Sequence, residues 1–223
     1  EFRRVLFRSE FLMKGKIEMK RKIISILLAL TFVIGSSAAV FAEDSQIDYS
    51  QWDSQSAYPS DVVNTPIFAA VKFLMDKKII SGYDDGLFHA DRNITRAEFT
   101  KMMVIATNNQ NGMDQRPDAG FTDIENHWAK DYINTGTFLK FINGMGDGTF
   151  APDGNVTYAQ VIAIIVRSKG VTDAEMSAYG KWPDNYAKYA TMYNMTGDVT
   201  VSDWDAPASR GDVAKILYRN LPK

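Results

Sequence analysis

The sequence predicts an all-α domain made of three helix–loop–helix units packed about an approximate threefold axis. Three observations carry that prediction. First, Gly86-Leu87-Phe88-His89-Ala90-Asp91-Arg92-Asn93-Ile94-Thr95-Arg96-Ala97-Glu98 aligns without gaps on Gly148-Thr149-Phe150-Ala151-Pro152-Asp153-Gly154-Asn155-Val156-Thr157-Tyr158-Ala159-Gln160, at a constant offset of 62 residues. Upstream, Ile79-Ile80-Ser81-Gly82 matches Phe141-Ile142-Asn143-Gly144 at the same offset, and a looser third copy ends in Asp205-Ala206-Pro207-Ala208-Ser209-Arg210-Gly211-Asp212. Second, apolar residues recur at helical period. They are Phe68, Val71, Leu74 and Met75 in the first helix of the first copy, and Phe99, Met102, Met103 and Ala106 in its second. Third, each second helix opens on a hydroxyl with a side-chain acceptor three residues on: Thr95 with Glu98, Thr157 with Gln160, Ser209 with Asp212. The first two pairs predict capping boxes, and the third a shorter variant of one.

The elements follow in order. Residues 1–12 read as a non-native leader, because Arg3-Arg4-Val5-Leu6-Phe7-Arg8-Ser9 resembles a sequencing adapter read in frame, with translation expected to start at Met13 or Met19. Residues 13–42 read as a secretory signal. Lys20-Arg21-Lys22 supplies its cationic start, Ile23 to Ile34 an apolar stretch too short to span a bilayer comfortably, and Val40-Phe41-Ala42 the small residues for cleavage after Ala42. A cut there gives an exported chain without stable membrane insertion. Residues 43–57 are expected to be a flexible lead-in, followed by repeats at 58–108, 119–170 and 179–221. Asn108 to Gly120 and Lys169 to Lys181 are polar linkers. One such hairpin buries too little surface to stand alone, so the three are expected to share a core.

Composition narrows the function. Residues 1–42 hold 8 of the 25 Lys/Arg and 3 of the 27 Asp/Glu, so residues 43–223 carry a net charge of −7. An acidic body argues against nucleic acid as a partner. The absence of Cys removes disulfides, thiolate metal sites and a lipid-anchored cysteine at the cleavage site.

The units resemble the S-layer homology (SLH) family. That family's repeat begins near Phe-x-Asp…His-Trp-Ala, passes through Gly-Ile-Ile-x-Gly…Asp-Gly-x-Phe-x-Pro, and ends in Ile-Thr-Arg-Ala-Glu. Here Phe121-Thr122-Asp123…His127-Trp128-Ala129 matches the opening almost fully, Trp182-Pro183-Asp184 is a looser opening for the third copy, and Asp61 stands at the equivalent place in the first. The resemblance covers about residues 58–221. It implies non-covalent binding of a secondary cell-wall polysaccharide attached to peptidoglycan, anionic or pyruvylated, in grooves between repeats. Together with the signal segment it implies a secreted, surface-anchored protein on a Gram-positive-type wall; no cofactor and no metal are expected, with a calcium site in the Asp-Gly loops as the lesser alternative to plain turns. The family's ligand-contacting arginine corresponds to Arg96 and Arg210, followed in the first copy by Glu98. Its groove-shaping loop corresponds to Gly82, Asp85 and Gly86, and to Gly144, Asp147 and Gly148. Asp61, Asp123, Asp184 and Trp128 complete the implied site.

Elementary chemistry bears on the arginines independently. A cation in the first turn of a helix opposes the macrodipole, by a few tenths of a kcal/mol or more. An arginine beside free helix N–H groups is, however, a good seat for a carboxylate. The bland alternative is an exposed arginine whose stem covers apolar surface. The copies are not equal: the second has Tyr158 where Arg is expected and Gln160 for Glu, and the third has Asp203-Trp204-Asp205 in place of the Gly-Asp-Gly loop.

Other constellations carry less. Asp84-Asp85-Gly86 and Asp147-Gly148 lack the spacing of an EF-hand, and His89 and His127, the two histidines, have no second histidine at ligand spacing. His127 is expected to pack beside Trp128 and cap the following helix. On residue type alone, Trp128, Trp182 and Trp204 read as core aromatics that could also stack on sugars. No nucleophile–base or carboxylate pair stands apart from the repeat pattern, so the chain is not expected to be an enzyme. The alternatives are a surface-lattice or envelope scaffold acting by self-association, or the anchoring fragment of a longer surface enzyme.

Overall fold

Helix starts are where this sequence commits itself, and the computed structural model, which describes residues 57–223, places them as the capping signals require. The leader and signal segments and nearly all of the lead-in lie outside the described residues. Seven α-helices follow: α1 Phe68–Asp76, α2 Arg96–Ala106, α3 Lys130–Phe138, α4 Tyr158–Ser168, α5 Asp173–Met176, α6 Asp184–Met192 and α7 Arg210–Asn220. The described residues are all-α; α1–α2, α3–α4 and α6–α7 are the three helix–loop–helix units. Among them no helix is long and apolar enough to cross a membrane.

Thr95 and Thr157 form full capping boxes with Glu98 and Gln160. Ser209 accepts from the Asp212 N–H at 3.1 Å, but the Asp212 carboxylate turns away to accept from the Tyr158 hydroxyl at 2.5 Å. The expected variant box is therefore half formed. The linker after α4 holds a short helix, α5, that the sequence reading passed over although Thr172 and Glu175 form a capping box of their own.

The units interlock rather than stand side by side. Helix α2 packs on α3, α4 on α6, and α7 returns to α1, so the second helix of each unit rests on the first helix of the next. At the centre, Ile94, Val156 and Ala208 are fully buried and form a head-to-tail ring of backbone hydrogen bonds. Val156 N–H donates to Ile94 O at 3.0 Å, Ala208 N–H to Val156 O at 2.9 Å, and Ile94 N–H to Ala208 O at 3.3 Å. Three isolated β-bridges, Asn93–Ser209, Thr95–Asn155 and Thr157–Pro207, flank that ring. Burying an isoleucine or valine side chain here contributes roughly 1.5–3 kcal/mol, and no single unit could bury it alone.

Each first helix ends the same way, on Lys78, Lys140 or Asn194 in the left-handed region, with φ of 57°, 63° and 48°. The residue after each donates its N–H five positions back: Ile79 to Leu74, Phe141 to Gly136, Met195 to Ala190. This register sets Asn194 54 residues after Lys140, whereas α7 starts 52 residues after α4, so the third loop is two residues shorter. It also realigns the third opening. Trp182 is the counterpart of Trp128, and Asp184 is the exposed first residue of α6, away from the position of Asp61 and Asp123.

Candidate functional site

The first turns of α2, α4 and α7 are closed by neighbours. Arg96 N–H donates to Gly154 O at 2.8 Å and Ala97 N–H to Pro152 O at 3.0 Å; Tyr158 and Ala159 donate likewise to Ala206 and Trp204, and Arg210 and Gly211 to Arg92 and Ala90. With the third N–H taken by the cap residue, these termini offer no free donor row. The expectation of helix N–H groups open to a carboxylate is therefore corrected: the next unit's carbonyls occupy them.

The arginines themselves are neither exposed nor paired with carboxylates. Arg96 is 6% exposed and reaches onto the second unit. Its Nε donates to Phe150 O at 2.8 Å, its Nη2 to Asn143 O at 3.1 Å, and its guanidinium lies 4.4 Å from the Phe150 ring centre. Desolvation pushes its pKa down to about 10, and Asp123 nearby resists that shift, so Arg96 stays charged at neutral pH. Arg210, also 6% exposed, repeats the arrangement on the first unit. Its Nη2 donates to Ser81 O at 2.6 Å and its guanidinium sits 4.7 Å from the Tyr83 ring and 4.5 Å from the Phe88 ring. Its Nε is buried without a hydrogen-bond partner among the described residues. Burial lowers its pKa as well.

Each arginine forms part of the wall of a groove between units. The first groove, about 680 Å³, brings together Arg210, the Ile79–Tyr83 loop with Gly82, Glu98 and Lys101 of α2, and Trp128. The second, about 280 Å³, brings together Arg96, Asn143, Gly144, Met145, Trp182 and the Gln160, Ile164 and Arg167 face of α4. A third, about 780 Å³, runs between the third unit and the start of the first and includes Tyr193, Lys215, Tyr218 and Arg219. Tyr158, at the arginine position, bonds Asp212 instead.

Trp128 is 56% exposed and Trp182 48% exposed, so both stand on groove walls. The reading of these two as core aromatics is overturned, because their positions precede α3 and α6 at the mouth of a groove; Trp204 does pack against the core. His127 behaves as expected, accepting from Ala129 N–H at 3.1 Å with its ring 5.4 Å from that of Trp128.

The acidic members of the expected site hold loops. Asp61 accepts from the N–H groups of Phe88 and His89, both at 2.8 Å, and Asp123 from those of Phe150 and Ala151 at 2.9 and 2.7 Å. Desolvation works against ionisation of Asp123, and the two N–H donors overcome it, leaving the carboxyl below its usual range. Asp85 accepts from Leu87 N–H at 3.0 Å and lies 2.6 Å from His89 Nε2. Asp147 accepts from the hydroxyl and N–H of Thr149 at 2.7 and 3.0 Å. Gly86 and Gly148 turn these loops at φ of 79° and 90°, where a side chain would be strained. Glu98 is divided between roles: its carboxylate accepts the Thr95 N–H at 2.8 Å while it also lines the first groove. Of the expected residues, the structure thus gathers Arg210, Gly82, Glu98 and Trp128 in one groove and Arg96 with Gly144 in the next.

The sequence reading missed Lys101, Arg167 and the loop carbonyls of Ser81 and Asn143. The spacing of Gln160, Ile164 and Arg167 at i, i+4 and i+7 signals one helix face and could have found the second of these.

Several proteins of bacterial cell surfaces are similar to this chain. The chain is 31% identical over 153 residues to the Middle cell wall protein of Brevibacillus brevis, covering 68% of this chain and 14% of that protein. It is 33% identical over 124 residues to the Cellulosome-anchoring protein of Acetivibrio thermocellus, covering 54% and 28%. It is 27% identical over 183 residues to the Surface layer protein of Brevibacillus choshinensis, covering 81% and 15%. The chain thus spans between 14% and 28% of these three relatives. Residues 60–100 and 120–162 match the S-layer homology domain, and with it the chain takes a bacterial cell-wall or cell-surface location.

Proposed function

We propose that this module anchors a secreted protein to the cell wall without a covalent bond, by holding an anionic secondary cell-wall polysaccharide in the grooves between its units. The third unit, which repeats the helix–loop–helix and the arginine of the first, acts as a third repeat of the same family. Anchoring to the wall is the general role; the polymer and its site are the finer reading.

The observation that carries the reading is the state of Arg96 and Arg210. Each guanidinium is held by carbonyl oxygens and aromatic faces, which fix its position without neutralising its charge. A carboxylate entering such a groove meets a pre-oriented cation beside an exposed tryptophan, the combination that suits an acidic sugar with one apolar face. The net charge of −7 does not defeat this, since screening limits general repulsion to about 8 Å at physiological salt. In the second unit Tyr158 stands in place of the arginine and bonds Asp212, so no guanidinium comes from that position; the cations on the third groove are Lys215, Arg219 and Lys223 instead.

The test is co-sedimentation of the protein with purified peptidoglycan sacculi, before and after acid removes the attached polysaccharide. Loss of pelleting with stripped sacculi is expected; equal pelleting would sink the polysaccharide reading. The likeness to a surface layer protein favours a second reading, self-association into a lattice. It would show as concentration-dependent assembly in the absence of any wall.

A further inference from the structure

In the first two grooves a second cation stands on the helix that forms the wall, at a different position in each; the third has both positions filled, by Lys215 and Arg219. In the first groove it is Lys101 on α2, three residues after Glu98. The equivalent position on α4 is Ala163, buried and uncharged. The second groove instead has Arg167, one turn further along α4, where α2 carries Ile105. The cation has moved along equivalent helices by about 6 Å, the rise of four residues.

Arg167 is held in place too, but unlike Arg96 by an ion pair with Asp173, which leaves its Nη atoms to meet a ligand. Its Nε donates to Asp173 Oδ1 at 2.7 Å, and its guanidinium lies 5.5 Å from the Tyr186 ring. Asp173 accepts from the Tyr186 hydroxyl at 2.6 Å and from Asn143 Nδ2 at 3.4 Å. Asn143 is the residue whose carbonyl takes Nη2 of Arg96. Helix α5, the insertion between the second and third units, thus orients one edge of Arg167 and shares a partner with the loop that fixes Arg96. The α4 face of Gln160, Ile164 and Arg167 leaves the guanidinium on the groove wall that Arg96 also lines.

We propose that Arg167 is a second anion-binding residue of this groove, so that the acidic group of the polymer is bound between two guanidinium groups there and between an arginine and a lysine in the first groove. This rests on the reading that the grooves hold an anionic polymer. It makes the second groove the more geometrically selective, because a guanidinium fixes the orientation of a carboxylate through paired hydrogen bonds and an ammonium does not.

The experiment uses the full chain with Arg210→Gln, so that the second groove dominates binding, and sacculi bearing their polysaccharide as the probe. Half-saturating protein concentration is measured with and without Arg167→Gln and Arg167→Lys, with circular dichroism on each. Arg167→Gln should raise that concentration about tenfold, the loss of one charge-assisted contact, with Arg167→Lys intermediate. An unchanged concentration for both variants, while Arg96→Lys still weakens binding, would overturn the proposal and leave the polysaccharide reading standing. Should the parent protein pellet equally with acid-stripped sacculi, both fail together. If Arg167→Gln loses helicity, Arg167→Lys with intact helicity and unchanged binding overturns the proposal on its own.

Discussion

The guanidinium of Arg96 lies 4.4 Å from the centre of the Phe150 ring and donates through Nε to that same residue's carbonyl at 2.8 Å. Two residues in different units are thereby locked by a face contact and a hydrogen bond at once. Arg96→Ala should therefore destabilise the domain by about 2–4 kcal/mol, through loss of charge-assisted bonds and of the packed stem. The check is thermal unfolding followed by circular dichroism. An unchanged midpoint together with weakened wall binding would make Arg96 a ligand contact alone.

Gly144 separates steric need from conformational need. A Cβ there would stand 2.3 Å from Phe121 Cε1 and 2.7 Å from the Thr149 carbonyl oxygen, whereas at Gly82 the nearest atoms are Pro59 Cγ at 3.2 Å and Leu87 O at 3.3 Å. Gly144→Ala should cost roughly 2–3 kcal/mol and Gly82→Ala about 1 kcal/mol or less. Denaturant midpoints of the two variants, measured side by side, decide it; equal losses would refute the difference in packing.

Trp128 makes the opposite case. More than half exposed on the wall of the first groove, it should tolerate Trp128→Ala with a stability change of about 1 kcal/mol or less, while affinity for sacculi falls. A cooperative transition shifted downward by several times that amount would return Trp128 to the core.

Acid should loosen the loops before the helices. Asp123, Asp85 and Asp147 are each held below the usual carboxylate range: in Asp123 backbone N–H donors outweigh desolvation, in Asp85 the leading cause is the Leu87 N–H, and in Asp147 the Thr149 hydroxyl. A lowered folded pKa adds stability that is fully present above the unfolded value of about 4 and is lost as pH falls through the folded one. Stability should therefore be flat from pH 7 to about 5 and decline below about 4, read from denaturant midpoints across that range. A decline centred near pH 6 would refute the assignment to these carboxylates.

Much of this was legible in the residues. The offset of 62 gave the equivalence of Asp61 with Asp123 and of Gly82 with Gly144, and the hydroxyl caps gave the starts of α2, α4 and α7. These are local signals, and local signals survive folding. What the sequence could not convey was the partner of each group. The carbonyls that take the first N–H groups of α2 come from Pro152 and Gly154, more than fifty residues away, and no pattern in a helix announces them. Trp128 was ambiguous because an aromatic before a helix has the same identity whether it faces a core or a groove. The third opening was misaligned for a related reason: shortening the loop by two residues shifts the register, and only the matched ends of α1, α3 and α6 reveal where.

The head-to-tail ring through Ile94, Val156 and Ala208 has a consequence for size. In an open stack of repeats, copies can be added or deleted at either end, and length drifts over evolution. Here α7 already occupies the face of α1 that a preceding neighbour would need. A fourth unit has no seat, and deleting one would leave two unsatisfied faces. The number three is thus a closure condition of the geometry, and any sheet-like array of these modules would have to grow through their outer rims.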